Sequence, residues 1–164
     1  MLDKEKGQSL LELIIVVALA LMVIAALTFA TITSLRNAYL SKSSLQATKF
    51  AQEGIEKVRS IRDRDGSVSA GFNGGTNKFS QLWGIKLYEV CIPSPCNFLL
   101  DPLNNNLSQN NTAAEDLGDS FKRSVKISDD TSSYQDKKEV TVIVNWVDFS
   151  GTHESRLTTY LRKI

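Results

Sequence analysis

Gly7-Gln8-Ser9-Leu10-Leu11-Glu12-Leu13-Ile14-Ile15-Val16-Val17-Ala18-Leu19 decides the fold, because one acid stands inside a stretch that otherwise reads as membrane. Glu12 is the only charged side chain between Lys6 and Arg36. A charge at the centre of a spanning helix costs about 2.5–3.5 kcal/mol on insertion scales, so an intramembrane acid is by default functional and needs a partner. The apolar run from Leu13 to Ile32 is twenty residues, interrupted only by Thr28 and Thr31. At ~1.5 Å per residue it reaches ~30 Å, the thickness of a bilayer core. A secretory signal peptide competes for this segment, with Thr28-Phe29-Ala30 as a small-residue cleavage site. Against it, the run exceeds an ordinary h-region, Lys4 and Lys6 are balanced by Asp3 and Glu5, and the acid lies within the apolar part.

Outward from the acid, Met1 to Gly7 is a short polar leader ending in Lys6-Gly7, followed by Gln8-Ser9-Leu10-Leu11-Glu12 and the apolar helix. This arrangement resembles the class III signal of type IV prepilins and pseudopilins. The resemblance implies that a membrane aspartyl peptidase cuts between Gly7 and Gln8, that the new amine on Gln8 is methylated, and that Glu12 becomes the fifth residue of the mature chain. Glycine suits the cut because, lacking Cβ, it extends into a protease cleft at little steric cost. Gln8 stands where the family most often has phenylalanine; glutamine also occurs there in the Tad-type pseudopilins. The implied fold is the α+β type IV pilin fold, one long N-terminal helix with a membrane half and a half packed against an antiparallel sheet. The corresponding division is a leader at 1–7, a transmembrane and assembly half of the helix at 8–34, and a head at 35–164. Implied partners are the prepilin peptidase and methylase, other pilin or pseudopilin subunits and an inner-membrane assembly platform. The implied location is the inner membrane, with the head outside the cytoplasm, and then a filament.

After cleavage the Gln8 amine lies about one helical turn from the Glu12 carboxylate, and in a bundle of identical helices the amine of one subunit reaches the acid of its neighbour. Pairing offsets burial of both charges and favours one axial register. The competing reading is an acid that snorkels to the interface and complements the helix dipole. The positive-inside count does not settle topology: Arg36, Lys42 and Lys49 follow the span with no acid before Glu53, so orientation rests on the resemblance and on the cysteines.

From Thr33 to Asp63 there is no proline and one glycine, Gly54. Ala47, Ala51, Ile55, Val58 and Ile61 or Arg62 recur at spacings of three and four, which predicts a continued helix with one apolar stripe that a sheet must cover. Glu53 and Lys57 have the favourable i, i+4 spacing. Asp63-Arg64-Asp65-Gly66 is the expected stop, with Gly66 as cap, giving a helix from about Gln8 to about Arg64, ~85 Å in length.

Residues 66–82 are Gly, Ser and Asn rich and read as loop, with no flanking strand, helix or Gly-Lys-Ser/Thr that would make them a phosphate cradle. Trp83 to Ile92 reads as a strand with Trp83, Ile85 and Leu87 on one face, and Phe98 to Leu100 as its partner. Between them Cys91-Ile92-Pro93-Ser94-Pro95-Cys96 can close a small disulfide loop in an oxidising compartment, worth about 2 kcal/mol, or remain as free thiols. With one histidine in the chain, His153, the two sulfurs fall short of a zinc ligand set. Residues 101–119 are low in apolar content and read as a surface excursion; Asn106-Leu107-Ser108 and Asn110-Asn111-Thr112 match the glycosylation sequon, a pattern that arises easily in asparagine-rich loops.

The clearest strands are Phe121 to Ser128, Glu139 to Val147 and Glu154 to Leu161, an antiparallel meander whose central member turns Val140, Val142, Val144 and Trp146 to one face. That strand, the ending Leu157-Thr158-Thr159-Tyr160-Leu161, and Ala51-Gln52-Glu53-Gly54-Ile55-Glu56 resemble minor pilins of the PilV kind and the minor pseudopilins of type II secretion. A net charge of +1 with interspersed signs predicts no basic patch for direct nucleic-acid binding. His153, read as a solvated turn residue beside Glu154, offers no catalytic constellation, so no enzyme and no cofactor are expected. Two readings stand: a filament subunit, and a signal-anchored monomeric binding or sensor domain.

Overall fold

A computed structural model describes residues 3–70, 75–92, 94–101, 106–110, 114–129 and 133–163, with the side chains of 3–9, 70, 75 and 76 outside the description. The chain forms a long helix α1 (Asp3–Asp63), strands β1 (Ser67–Ala70) and β2 (Gly75–Lys78), a 3-10 turn (Phe79–Gly84), a short helix α2 (Leu87–Val90), and strands β3 (Cys96–Leu100), β4 (Leu107–Gln109), β5 (Glu115–Gly118), β6 (Phe121–Asp129), β7 (Lys137–Asp148) and β8 (Gly151–Arg162). Two compact units result, Met1–Ser43 and Ser44–Ile164. This is the α+β pilin fold, one long N-terminal helix with a mostly antiparallel eight-stranded sheet.

The first unit is helix alone. Its described part already includes Asp3, ahead of the expected Gln8, because the leader holds no proline and a single internal glycine costs only about 1 kcal/mol of helix propensity. Its best 18-residue window has a mean hydropathy of 3.0 with none of it buried, long and apolar enough to cross a membrane. The threonines in the span satisfy themselves: Thr28 Oγ1 donates to the Ile24 carbonyl (2.8 Å) and Thr31 Oγ1 to that of Leu27 (2.8 Å), so neither hydroxyl needs water.

In the second unit the sheet order is β2-β1-β4-β3-β6-β7-β8, with β5 paired to β6 beside β3. All pairings are antiparallel except β1 with β4. The meander forms as expected, β7 pairing with β6 from Lys122↔Asn145 to Asp129↔Lys138 and with β8 from Lys137↔Arg162 to Asp148↔Gly151. Val140, Val142, Val144 and Trp146 are buried on one face, as the alternation predicts. Against that core lie Ala47, Ala51, Ile55, Val58 and Ile61, the predicted stripe, with Ile61 rather than Arg62 as its last member. The Glu53–Lys57 pair forms at 2.8 Å.

The helix stop differs in its detail. Asp65, not Gly66, takes the left-handed conformation (φ 48°), Gly66 N–H donates to the Ile61 carbonyl (2.8 Å) and Asp65 N–H to that of Arg62 (3.1 Å), which is the Schellman pattern. Gly66 is needed for space: a Cβ there would lie 3.0 Å from Ile61 Cγ2.

Residues 83–92 are not a strand. Phe79, Leu82, Trp83 and Leu87 are the buried set, a helical spacing that the apparent alternation of 83, 85 and 87 concealed. Phe98 to Leu100 pairs instead with β4 and β6. The excursion at 101–119 also holds structure, since β4 buries Leu107 and β5 buries Glu115. The sequon Asn110-Asn111-Thr112 and the turn residues 130–132 lie in part or wholly outside the described residues.

Candidate functional site: the N-terminal segment and the pins of the head

Gly7, Gln8 and Glu12 lie on one uninterrupted helix, and Glu12 is exposed among exposed Leu10, Leu11, Leu13 and Ile14. Four residues separate Gln8 from Glu12, one turn and ~6 Å of rise, so an amine freed at Gln8 stays on the face and near the level of the acid. The side chain of Gln8 is outside the description. What the segment offers chemically is a carboxylate without an ion-pair partner among the described residues, set in an apolar stretch that none of them buries.

The second unit is held by contacts that periodicity does not reveal. Arg123, fully buried, donates from Nε to Glu115 Oε2 (2.8 Å) and from Nη1 to the Phe50 carbonyl of α1 (3.0 Å). That carbonyl is reachable because Gly54 has no side chain: a Cβ on it would meet Arg123 Cδ at 3.0 Å. A second buried pair joins Lys138 to Asp129, directly opposite each other on β7 and β6. Lys138 Nζ also donates to the Ile85 carbonyl (2.9 Å), and the Asp129 carboxylate accepts the Leu87 N–H, which ties α2 to the sheet. Burial draws the Lys138 ammonium below the ordinary lysine range, while its hydrogen bond to Asp129 opposes that shift. Each pin pairs residues eight or nine apart and reaches a backbone carbonyl far off in sequence, Phe50 for Arg123 and Ile85 for Lys138; the hint in the sequence is a basic residue at a core-facing position of each strand.

Cys91 and Cys96 are joined by a disulfide that closes the loop between α2 and β3. It belongs to the second unit and Glu12 to the first.

His153 departs from its reading as a solvated turn residue. It lies in β8 opposite Trp146, with the rings stacked at 5.3 Å. Its Nε2 contacts both Ser150 Oγ (2.8 Å) and Asp148 Oδ1 (3.0 Å). A hydrolytic triad needs the acid on one ring nitrogen and the hydroxyl on the other. Here both share one nitrogen, and Asp148 also accepts the Ser150 N–H (2.7 Å), so the group locks the β7–β8 turn. The Ser150 hydroxyl bond is the main cause holding the Asp148 carboxyl below the usual carboxylate range, with the Ser150 amide and His153 adding to it. Among the described residues no three of His, Cys, Asp and Glu converge as metal ligands.

The prokaryotic N-terminal methylation motif matches residues 2–28. No curated protein and no solved structure matches the chain. The motif, the exposed apolar helix and the helix-on-sheet head together support a type IV pilin-like protein with a prepilin-type N-terminal signal, of the kind processed by prepilin peptidase. Such a motif points to a structural subunit rather than an enzyme.

Proposed function

We propose that the chain is a minor subunit of a type IV pilus or of a type II secretion-like filament, held in the inner membrane until it is trimmed and assembled through its N-terminal helix. In this reading 1–7 is the leader, 8–34 the membrane and assembly half of the helix and 35–164 the head. Prepilin peptidase cuts between Gly7 and Gln8 and the amine of Gln8 is methylated. Glu12 then pairs with the Gln8 ammonium of a neighbouring subunit, and an inner-membrane platform draws the helix into the bundle. An unpaired carboxylate among lipid tails is costly, so a chain out of register forgoes that pairing.

The observation that carries the reading is the methylation motif on a helix whose membrane-length apolar window is uncovered. Neighbouring helices of the same kind would cover it and supply the missing cation. Mass spectrometry of the chain from its host tests this: a mature N-terminus at N-methylated Gln8 is expected. Recovery of an intact Met1 on a solitary membrane protein would refute it in favour of a signal-anchored monomer.

A further inference from the structure

We propose that Lys138 and Asp129 condense into a side-chain amide, an intramolecular isopeptide bond that joins β7 to β6 with loss of one water. The inference concerns the head alone and does not depend on the filament reading. Four lysine–carboxylate pairs form among the described residues: Lys57 with Glu53, Lys78 with Asp65, Lys86 with Glu89 and Lys138 with Asp129. The first three lie at least partly in water, whereas in the last both side chains are fully buried. Burial excludes the solvent that would solvate the charges and hydrolyse the product.

The groups around the pair suit an amide better than an ion pair. Lys138 Nζ donates to Asp129 Oδ1 and to the Ile85 carbonyl (2.9 Å), and Asp129 Oδ2 accepts the Leu87 N–H. An ammonium has three N–H donors to satisfy. Among the described residues it finds these two oxygen acceptors, with the Tyr134 ring centroid 5.9 Å away. The amide has one N–H, which keeps the Ile85 carbonyl, and one carbonyl oxygen, which keeps the Leu87 N–H, so both polar groups of the product already have partners. The other buried pin cannot follow this course, because the Arg123 guanidinium is not deprotonated in a protein.

Strand register brings the reacting atoms together, since Asp129 and Lys138 are cross-strand partners with both side chains turned inward. Burial disfavours the charged forms and draws the Lys138 ammonium below the ordinary lysine range, so a proton moves along the Nζ–Oδ1 hydrogen bond and leaves an amine beside a carboxylic acid. The Nζ lone pair attacks Asp129 Cγ. As the C–N bond forms, the carbonyl electron pair moves onto Oδ2, where the Leu87 N–H holds the developing charge. A proton then passes from Nζ to Oδ1, the Cγ–Oδ1 bond breaks, the carbonyl re-forms at Oδ2 and Oδ1 departs as water. The ammonium and carboxylate together supply every atom of the amide and of the water, so no other reactant is needed.

The experiment is the mass of the full chain purified from host membranes, with the Cys91–Cys96 disulfide reduced and the N-terminus read by fragmentation of the same sample. The parent should be lighter by one water than its residues require. After trypsin, residues 127–137, released by cuts at Lys126 and Lys137, should stay joined through Asp129 to the peptide that begins at Lys138. Lys138→Arg keeps a cation beside Asp129 but cannot condense, so it should show full mass and two separate peptides. A parent of full mass overturns the proposal, and its spectrum decides this whether or not the variant folds. A water loss that persists in Lys138→Arg, or that maps away from Asp129 and Lys138, overturns it too, because an aspartate cyclised elsewhere then accounts for the mass.

Discussion

Gly54 on α1 and Val142 on β7 meet so closely that a Cβ added to the glycine would stand 2.8 Å from Val142 Cγ1. The contact sets how near the helix lies to the sheet, and it lets the Arg123 arm pass to the Phe50 carbonyl. Elsewhere in a helix glycine is a loss of about 1 kcal/mol relative to alanine, so its presence here reports packing.

Gly54→Ala should therefore destabilise the protein by about 1–3 kcal/mol despite the better helix former, because neither Val142 nor Arg123 can withdraw without cost. Pairing it with Val142→Ala should be less than additive. Chemical denaturation of the full chain in detergent reads both; a more stable Gly54→Ala variant contradicts the close approach.

Arg123→Met leaves Glu115 buried without its cation and should cost about 3–5 kcal/mol, whereas Arg123→Met with Glu115→Leu should recover most of the loss. Equal destabilisation by the single and double variants would show that the pair acts by shape and not by charge.

Two carboxyls sit below their ordinary range, Asp148 chiefly through the Ser150 hydroxyl and Asp65 chiefly through the Ser80 amide, whose N–H lies 2.8 Å from Asp65 Oδ1. A depressed folded-state pKa contributes stability that is present above the unfolded value of about 4 and is lost as pH falls through the folded value. The urea midpoint should thus fall as pH is lowered beneath about 4, and Asp148→Asn should fall less steeply than the parent. Parallel acid limbs for the two proteins would exclude Asp148 as a contributor.

Glu12→Ala removes the acid without touching the leader. The variant should be trimmed and should reach the membrane at the parent level, yet be depleted at least several-fold in sheared filaments. Immunoblots of membrane and filament fractions compare the two, and undiminished incorporation would remove Glu12 from assembly.

Legibility followed the range of the interactions. The stripe from Ala47 to Ile61 and the alternation from Val140 to Trp146 were readable because each is a local period imposed by one buried face. The helix stop was placed to within a residue, but the left-handed turn falls on Asp65, and Gly66 instead meets the crowding by Ile61. Residues 83–92 misled, since Trp83, Ile85 and Leu87 satisfy a strand period while Phe79, Leu82, Trp83 and Leu87 satisfy a helical one. Tertiary contacts chose between them, the Leu87 N–H finding Asp129 and the Ile85 carbonyl finding Lys138. The short strands β4 and β5 carried too few apolar residues to announce themselves.

By itself the chain of residues determined the anchor, the methylation motif, the lone acid and the two elements with strong periodicity, because each is a property of neighbours along the backbone. Only the folded structure decided the sheet order, the buried Arg123–Glu115 and Lys138–Asp129 pairs, the close passage at Gly54 and which edges stay open. Those depend on groups that only the fold brings together, as Arg123 meets the Phe50 carbonyl and Lys138 the Ile85 carbonyl, and no local pattern records which of them will meet.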